Sequence, residues 1–327
     1  MRRARVLALA GCLALSACGA RSAPGPAPLV LERSIALAGV SGRIDHLAID
    51  PAGRRLFVAE LGNGSVEAID LATGRSLGRI GGLHEPQGLG YLAGRDELVV
   101  ATGGDGMLRF YRASDLALIG AVKLGQDADD VRVDPQSGRV LVGYGSALAV
   151  VDAGTRGLVR SIPLQAHPEG FEVEGGRAFV NLPQAGGLVV VDLAQGREAA
   201  RWRNPGPHFN FPLALDPDAG LVAAVYRMPA KLVLFSAASG AVKQKLDTCG
   251  DADDVFFDRD KKRLYVVCGG GSVDVFSKGR AGYAAMARVS TRRGARTGLF
   301  SSQLDRLYVA VRASGNQSAA IWALRPR

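Results

Sequence analysis

The sequence predicts an all-β protein, a seven-bladed β-propeller in which an N-terminal strand completes the last blade. Three observations lead to this prediction: a repeat of 40 to 43 residues, four short strand patterns in each repeat, and a final repeat that stops one strand short. Repeats of about 40 residues with four strands each are typical of propellers. The chain has 327 residues and 43 glycines, which is enough length for seven such units and enough glycine for many tight turns.

The repeat can be aligned on the residue that opens the first strand of each copy. An apolar strand follows, such as residues 131–133, and then a turn that often contains Asp-Pro or Gly, as in Asp134-Pro-Gln-Ser-Gly138. Two further apolar strands and a more polar fourth strand, such as residues 158–162, complete the unit. The seven aligned positions are His46, Gly88, Asp130, Gly170, Pro212, Asp254 and Thr297.

The last repeat reaches only its third strand, and residues 29–37 belong to no repeat. Within them, Arg33-Ser-Ile-Ala-Leu37 resembles Arg160-Ser-Ile-Pro-Leu164, which is a fourth strand. We therefore predict that this N-terminal segment pairs into the last blade. Closure of the ring in this way removes a sheet edge that would otherwise pair with other chains.

Two units carry a recognisable resemblance. Leu56-Phe-Val-Ala59 with Gly64-Ser-Val-Glu-Ala-Ile-Asp70, and Leu264-Tyr-Val-Val267 with Gly271-Ser-Val-Asp-Val-Phe276, resemble the YVTN-type β-propeller repeats of bacterial envelope proteins. The resemblance covers residues 29–327 and implies the fold, but it implies no particular activity because propellers host many functions. The Trp-Asp dipeptide of WD repeats and the repeated tryptophans of quinoprotein propellers are both absent from the sequence.

The N-terminus has the pattern of a targeting segment. Three arginines fall within the first five residues, residues 6–14 are apolar, and Leu15-Ser-Ala-Cys18 follows. This motif resembles the lipobox of bacterial lipoproteins, in which the cysteine is lipidated and becomes the first mature residue. The implied organisation is a signal peptide at residues 1–17, a lipidated Cys18 with a flexible tether through residue 28, and a propeller at residues 29–327.

The same resemblance implies a location and a first partner. Lipidation of Cys18 would attach the protein to a membrane, and Gly19, where Asp commonly marks inner-membrane retention, favours the outer membrane. We therefore expect a monomeric lipoprotein that faces the periplasm.

The chain is basic, with a formal net charge of +9. Removal of residues 1–17 takes away three arginines and no acid, which leaves +6. Nucleic acid and anionic lipid are therefore conceivable partners. The cations, however, are scattered among turns such as Arg54-Arg55, Lys261-Lys262-Arg263 and Arg292-Arg293, a pattern typical of a solvated surface.

Two of the four cysteines remain after Cys12 leaves with the signal peptide and Cys18 takes lipid. Cys249 and Cys268 would then form a disulfide in an oxidising compartment. It would close a loop of about 20 residues and contribute about 3 kcal/mol. The strand alignment places Cys268 opposite Asp253, so the bridge requires the preceding loop to curl back.

The innermost strands of a propeller line its central channel, so the residue just before each aligned position should lie at one mouth of that channel. Four of these seven residues are acids, with further aspartates at positions 127, 130, 251 and 254. We therefore predict a concentrated acidic mouth on an otherwise basic protein. The seven residues are Asp45, Gln87, Asp129, Glu169, Phe211, Asp253 and Arg296.

The histidines fall in the same narrow part of the repeat. All four lie at an aligned position or within four residues before it. The stretch His208-Phe-Asn-Phe-Pro212 adds two aromatic residues and an asparagine. The candidate ligand or metal residues are Asp45, His46, Asp129, His167, Glu169, His208, Asn210 and Asp253.

Three interpretations of this mouth remain open. The carboxylates could be structural and accept hydrogen bonds from backbone amides of neighbouring blades. They could hold a divalent ion: Ca²⁺ for carboxylates with carbonyl oxygens, or Zn²⁺ or another transition ion for histidine with carboxylates. They could also form a pocket for a small-molecule or cationic ligand.

The sequence contains no Gly-x-Ser-x-Gly elbow, no phosphate-binding glycine loop and no Cys-x-x-Cys-His haem site. This favours a non-enzymatic envelope protein that binds a ligand or partner protein at the channel mouth or rim.

Two alternatives belong to other classes. A metal-dependent hydrolase, such as a lactonase, would use His46, His167 or His208 as its base. Its ligands would be Asp45, Asp129, Glu169, Asn210 and Asp253. A nucleic-acid-binding propeller would use the arginine-rich turns, because the mouth is acidic.

Overall fold

The computed structural model of the chain describes residues 27–50, 52 and 54–327. Its 28 strands form seven antiparallel sheets of four strands, arranged as blades in a ring. The predicted all-β, seven-bladed propeller is therefore confirmed. The predicted signal peptide, Cys18 and most of the predicted tether lie outside the described residues.

The blades follow one another along the chain, and each runs outward from the channel. Blades 1 to 3 consist of β2 (Leu47–Ile49), β3 (Arg55–Glu60), β4 (Ser65–Asp70) and β5 (Arg75–Ile80); β6 (Pro86–Leu92), β7 (Glu97–Thr102), β8 (Met107–Arg112) and β9 (Leu118–Lys123); and β10 (Val131–Val133), β11 (Val140–Tyr144), β12 (Ala147–Asp152) and β13 (Gly157–Pro163).

The remaining blades repeat the same order, and the last one takes its outermost strand from the N-terminus. They consist of β14 (Phe171–Glu174), β15 (Arg177–Leu182), β16 (Gly187–Asp192) and β17 (Arg197–Arg203); β18 (His208–Asp216), β19 (Leu221–Met228), β20 (Ala230–Ser236) and β21 (Val242–Asp247); β22 (Ala252–Asp258), β23 (Arg263–Cys268), β24 (Ser272–Gly279) and β25 (Gly282–Ser290); and β26 (Gly298–Ser301), β27 (Arg306–Val311), β28 (Ala320–Pro326) and β1 (Leu29–Ala36). Three single-turn 3-10 helices span Leu61–Asn63, Ala93–Arg95 and Pro183–Ala185.

The middle strands of each blade are apolar because both of their faces pack against neighbouring blades. Four consecutive residues of β3, at positions 56–59, are fully buried, whereas most of the outer strand β13 is exposed. Seven apolar clusters fill the seven interfaces between adjacent blades. This explains why these strands appear in the sequence as short continuous apolar runs.

The ring closes through β1. This strand pairs antiparallel with β28, from Leu29 opposite Pro326 to Ala36 opposite Ala320. The backbone N–H of Arg327 donates to the carbonyl of Pro28 at 2.9 Å. The predicted closure by an N-terminal strand is therefore confirmed.

The ring has two faces. At the mouth face, the first strand of every blade begins and the second strand ends. The opposite face carries the turns between first and second strands and between third and fourth strands. β1 begins at this opposite face, because it runs from Leu29 toward the mouth face, where the chain enters blade 1.

Cys249 and Cys268 form a disulfide with a Cα–Cα distance of 5.9 Å, inside the apolar cluster between blades 5 and 6. The predicted register of Cys268 differs in detail. Cys268 pairs with Ala252 rather than Asp253, because a register shift between Ala252 and Asp254 displaces the start of β22.

Among the described residues, no helix has the length and apolar character needed to cross a membrane.

Candidate functional site

The channel opens at the mouth face into a cavity of about 300 Å³, which we call the mouth cavity. Six of the seven residues expected at the mouth line it, and Asp45 lies deeper. The lining residues are Arg43, Gln87, Asp127, Asp129, His167, Glu169, Gln184, Phe211, Arg227, Asp253 and Arg296. The channel narrows below this cavity around His46, Asp130, Arg132 and Asp254.

Three arginines make the mouth cavity mixed in charge rather than simply acidic, which corrects the sequence prediction. Arg43 pairs with Asp45 at 2.8 Å, and Arg296 pairs with Asp253 at 2.7 Å. Arg227, from the end of β19, also pairs with Asp253. Asp45 and Asp253, both predicted site residues, are therefore engaged in ion pairs within the channel wall.

Arg227 is held in place by more than its ion pair. Its guanidinium carbon lies 3.7 Å from the centroid of the Phe211 ring, and its Nε donates to the carbonyl of Ala252 at 3.0 Å. Burial raises the pKa of the Asp253 carboxyl, although Arg296 and Arg227 oppose this shift. These contacts fix blade 5 against blade 6 beside the cavity.

In the part of the chain that the structure describes, two partly buried carboxylates of the cavity, Asp129 and Glu169, lack such a partner, and so does the exposed Asp127. Among the described residues, no lysine or arginine nitrogen lies within 4.0 Å of Asp129 or Glu169, and the nearest basic atom to Asp129 is His46 Nε2 at 3.8 Å. Burial raises the pKa of both carboxyl groups. The buried Oδ1 of Asp129 has no hydrogen-bond partner. A cation entering the cavity would gain most at these two side chains.

His167 lies beside these carboxylates. Three side chains can each offer one metal-ligand atom here, and these atoms lie within 4.8 Å of one another. They belong to Asp129, His167 and Glu169. The Nδ1 of His167 is 2.9 Å from the carbonyl oxygen of Gly145, and Asp127 Oδ2 is 3.5 Å from the same nitrogen. Nδ1 therefore donates its proton to the carbonyl, and the lone pair of the neutral ring is on Nε2.

This donor set can hold a metal ion. One imidazole nitrogen and two carboxylates suit Zn²⁺ or a related transition ion, and three protein ligands leave at least one coordination position open. We call Asp129, His167 and Glu169 the mouth triad.

His46 lies below the mouth cavity, surrounded by carboxylates. Burial would lower the pKa of its ring, but Asp130, Asp45, Asp129 and Asp254 outweigh that effect and raise the pKa to about 9. The ring is therefore an imidazolium at neutral pH.

Two carboxylates around His46 also join blades. Asp254 Oδ2 accepts a hydrogen bond from the backbone N–H of Gly298 at 2.7 Å, and Asp130 Oδ2 accepts one from Phe171 at 3.3 Å. Burial raises the pKa of Asp254 to about 7. These hydrogen bonds to the backbone of a neighbouring blade agree with the interpretation that the carboxylates of the mouth are structural.

Asn210 and His208, both predicted site residues, do not line the mouth cavity. Asn210 is fully buried and donates to Asn181 Oδ1 at 2.6 Å and to the carbonyl of Gly187 at 3.0 Å, which ties blade 5 to blade 4. His208 is the first residue of β18, is exposed, and pairs with Met228 of β19. A register shift lies between Asn210 and Leu213, and within this segment Phe211, but not Asn210, lines the mouth cavity.

Several residues of the cavity were not among the predicted site residues, notably Arg43, Gln184 and Arg227. Arg227 lies at the end of a second strand, and Gln184 lies in a turn that follows one. Second strands end at the mouth face, so inspection of those ends in every repeat would have identified both residues. Arg43 precedes the first repeat, where no periodic signal marks it.

Solved structures resemble this chain in fold. A chain of Kuenenia stuttgartiensis hydrazine synthase is 18% identical with a TM-score of 0.76, and the match covers 87% of this chain and 97% of that one. The WD40 repeats of RRP9 are 12% identical with a TM-score of 0.77, over 93% of this chain and 99% of that one. U3-55K is 11% identical with a TM-score of 0.78, over 93% and 100%.

At these identities the similarity concerns the fold alone. No protein-family model matches the chain, and the sequence of no curated protein matches it either.

Proposed function

We propose that this chain is a lipid-anchored envelope propeller that binds a divalent transition ion at the mouth triad and catalyses no reaction. The lipobox-like motif that ends at Cys18 and the YVTN-type repeats support the location. The convergence of Asp129, His167 and Glu169, whose ligand atoms lie within 4.8 Å of one another, supports the ligand.

The electrostatics of the mouth cavity favour a cation at this position. Arg43, Arg227 and Arg296 are engaged with Asp45 and Asp253, on the other side of the cavity. Asp129 and Glu169 therefore have no guanidinium among the described residues within ion-pair distance, although Arg227 acts on Glu169 and the His46 imidazolium on Asp129 at longer range. The hydrogen bond from His167 to Gly145 orients the ring, as backbone carbonyls commonly do for metal-binding histidines.

The first test measures the binding of Zn²⁺ alone to the protein, by competition with a chromophoric chelator. We expect wild-type protein to bind one equivalent, and we expect Asp129→Asn and Glu169→Gln each to weaken binding by roughly 100-fold or more, because each loses a charged ligand. Because burial raises the pKa of both carboxyls, protons compete with the metal, and the affinity should fall as the pH is lowered.

Asp251→Asn is the matched control. This aspartate is also at the mouth face, but it is half exposed and lies 3.3 Å from Arg296 rather than in the triad. Its substitution should change the affinity less than threefold. Equal Zn²⁺ binding by wild-type protein and both triad variants would rule out the site.

A metal-dependent hydrolase is the second candidate, because a three-ligand site leaves a position at which a metal-bound water could be activated. The zinc-loaded protein should be tested for turnover of a panel of lactones and esters. Steady turnover that is lost in Asp129→Asn would establish the hydrolase, whereas stoichiometric binding without turnover would support the binding function.

A further inference from the structure

The opposite face of the ring carries a second cavity, of about 630 Å³, between blades 5 and 6. It lies at the turns between the first and second strands of both blades and at the hairpin between β24 and β25. We call it the basic groove. Its charged lining residues are Asp216, Asp218, Arg259, Lys262, Lys278 and Arg280.

Hydrogen bonds fix the positions of the turns that form the groove. The backbone N–H of Lys278 donates to the carbonyl of Lys262 at 2.8 Å, which joins the two turns of blade 6. The side-chain amide of Gln244, in blade 5, makes two hydrogen bonds to the backbone of Tyr283 at the start of β25. Its Nε2 donates to the carbonyl of Tyr283 at 2.6 Å, and its Oε1 accepts from the N–H of Tyr283 at 2.9 Å. The hairpin that carries Lys278 and Arg280 is thereby fixed against blade 5.

The charge of the groove is only partly compensated. Arg259 pairs with Asp218 at 2.8 Å. Among the described residues, no carboxylate lies within 4.0 Å of the side-chain nitrogens of Lys262, Lys278 or Arg280, all three of which are exposed. The groove therefore presents three cations without an acidic partner.

The chain enters the propeller next to this groove. Arg263, which follows Lys262, donates to the carbonyl of Pro28 at 3.2 Å, one residue before β1 begins. Ten residue steps separate Cys18 from Pro28, and they span at most about 36 Å when the chain is fully extended. A lipid on Cys18 would therefore hold the opposite face, and not the mouth face, near the bilayer.

We infer that the basic groove docks on the anionic phosphate headgroups of the membrane that carries the anchor. An anionic membrane surface attracts nearby lysines and arginines, by about fivefold in binding for each residue, over a distance of about 8 Å at physiological salt. The entry of the chain at this face favours a membrane over nucleic acid as the polyanion. The mouth cavity then faces away from the bilayer. This inference rests on the proposed envelope location but not on the proposed metal site.

The experiment uses the chain from Gly19 onward, which contains every strand of the closed ring and has no lipid. Sedimentation with vesicles of phosphatidylcholine alone, and with 30% phosphatidylglycerol added, measures partitioning at about 50 and 300 mM salt. We expect binding to the anionic vesicles only, and it should weaken at the higher salt. The triple variant Lys262→Ala, Lys278→Ala, Arg280→Ala should bind on the order of 100-fold more weakly.

The matched control removes three cations from the mouth face, by Lys123→Ala, Arg203→Ala and Arg293→Ala. These exposed residues lie at or beyond the ends of β9, β17 and β25. The control should lose less than threefold in vesicle binding, and both triple variants should keep the melting temperature of the wild type.

Equal losses in the two triple variants would overturn the docking surface, as would equal binding to neutral vesicles. Groove-dependent binding to duplex DNA without vesicle binding would identify nucleic acid as the partner and also overturn it. Zn²⁺ titration of the same variants reports the mouth triad separately, so failure of one proposal does not hide the outcome of the other.

Discussion

Replacement of Ile35 by Asp should lower the free energy of unfolding by about 4 kcal/mol and the melting temperature by about 10 °C. Ile35 is 4% exposed and lies on β1, within the apolar cluster between blades 7 and 1. An aspartate there would bury a carboxylate without a partner. It would also weaken the pairing of β1 with β28, and so would expose the edge of β28.

Leu31→Asp is the control for this experiment. Leu31 is on the same strand but is 47% exposed, so the same chemical change should cost less than about 1 kcal/mol. Thermal unfolding followed by circular dichroism, with light scattering to detect association, measures both variants. If the two variants were equally stable, β1 would not close the ring in solution.

The second large effect concerns His46 and is a dependence on pH. Because its pKa is raised from about 6.5 when unfolded to about 9 when folded, the charged ring stabilises the fold fully below pH 6.5, and this stabilisation is lost as the pH rises through 9. A shift of this size corresponds to about 3 kcal/mol. Wild-type protein should therefore lose about that much stability between pH 6.5 and pH 9.5.

His46→Gln should be less stable than wild type by about 3 kcal/mol at pH 6.5 and should approach wild type at pH 9.5, because it has no imidazolium to lose. Denaturant titrations at the two pH values measure both proteins. His208→Gln makes the same chemical change at an exposed ring and should track wild type throughout. Parallel pH dependence in wild type and His46→Gln would show that the ring does not carry this charge.

The fold could be predicted from the sequence because its signals are local and repeated. Each blade contributes continuous apolar runs for its middle strands and a turn at a fixed distance, and the incomplete last repeat identified β1 as the closing strand. The same periodicity placed Asp129 and Glu169 at one mouth, since both precede a first strand of equivalent position.

The rest of the site depends on side-chain contacts that cannot be predicted from the position of a residue within the repeat. Arg227 reaches Asp253 across a blade interface, and its long side chain is directed there by the Phe211 ring. Asn210 has the expected position in the repeat, yet its amide donates to Asn181 beside a register shift in β18. Such irregularities arise from packing between particular side chains, so the periodic pattern could not reveal them.

The meeting of Pro28 and Arg327 at the start of β1 has a mechanical consequence. A pull on the chain that precedes Pro28 acts along the length of β1, while the seven residues of β28 that pair with it hold the strand from the side. Tension of this direction loads all seven pairs at once, in shear, and does not peel them apart one after another. If Cys18 carries the proposed lipid, the strand that closes the ring would also be the strand that resists a pull from the membrane.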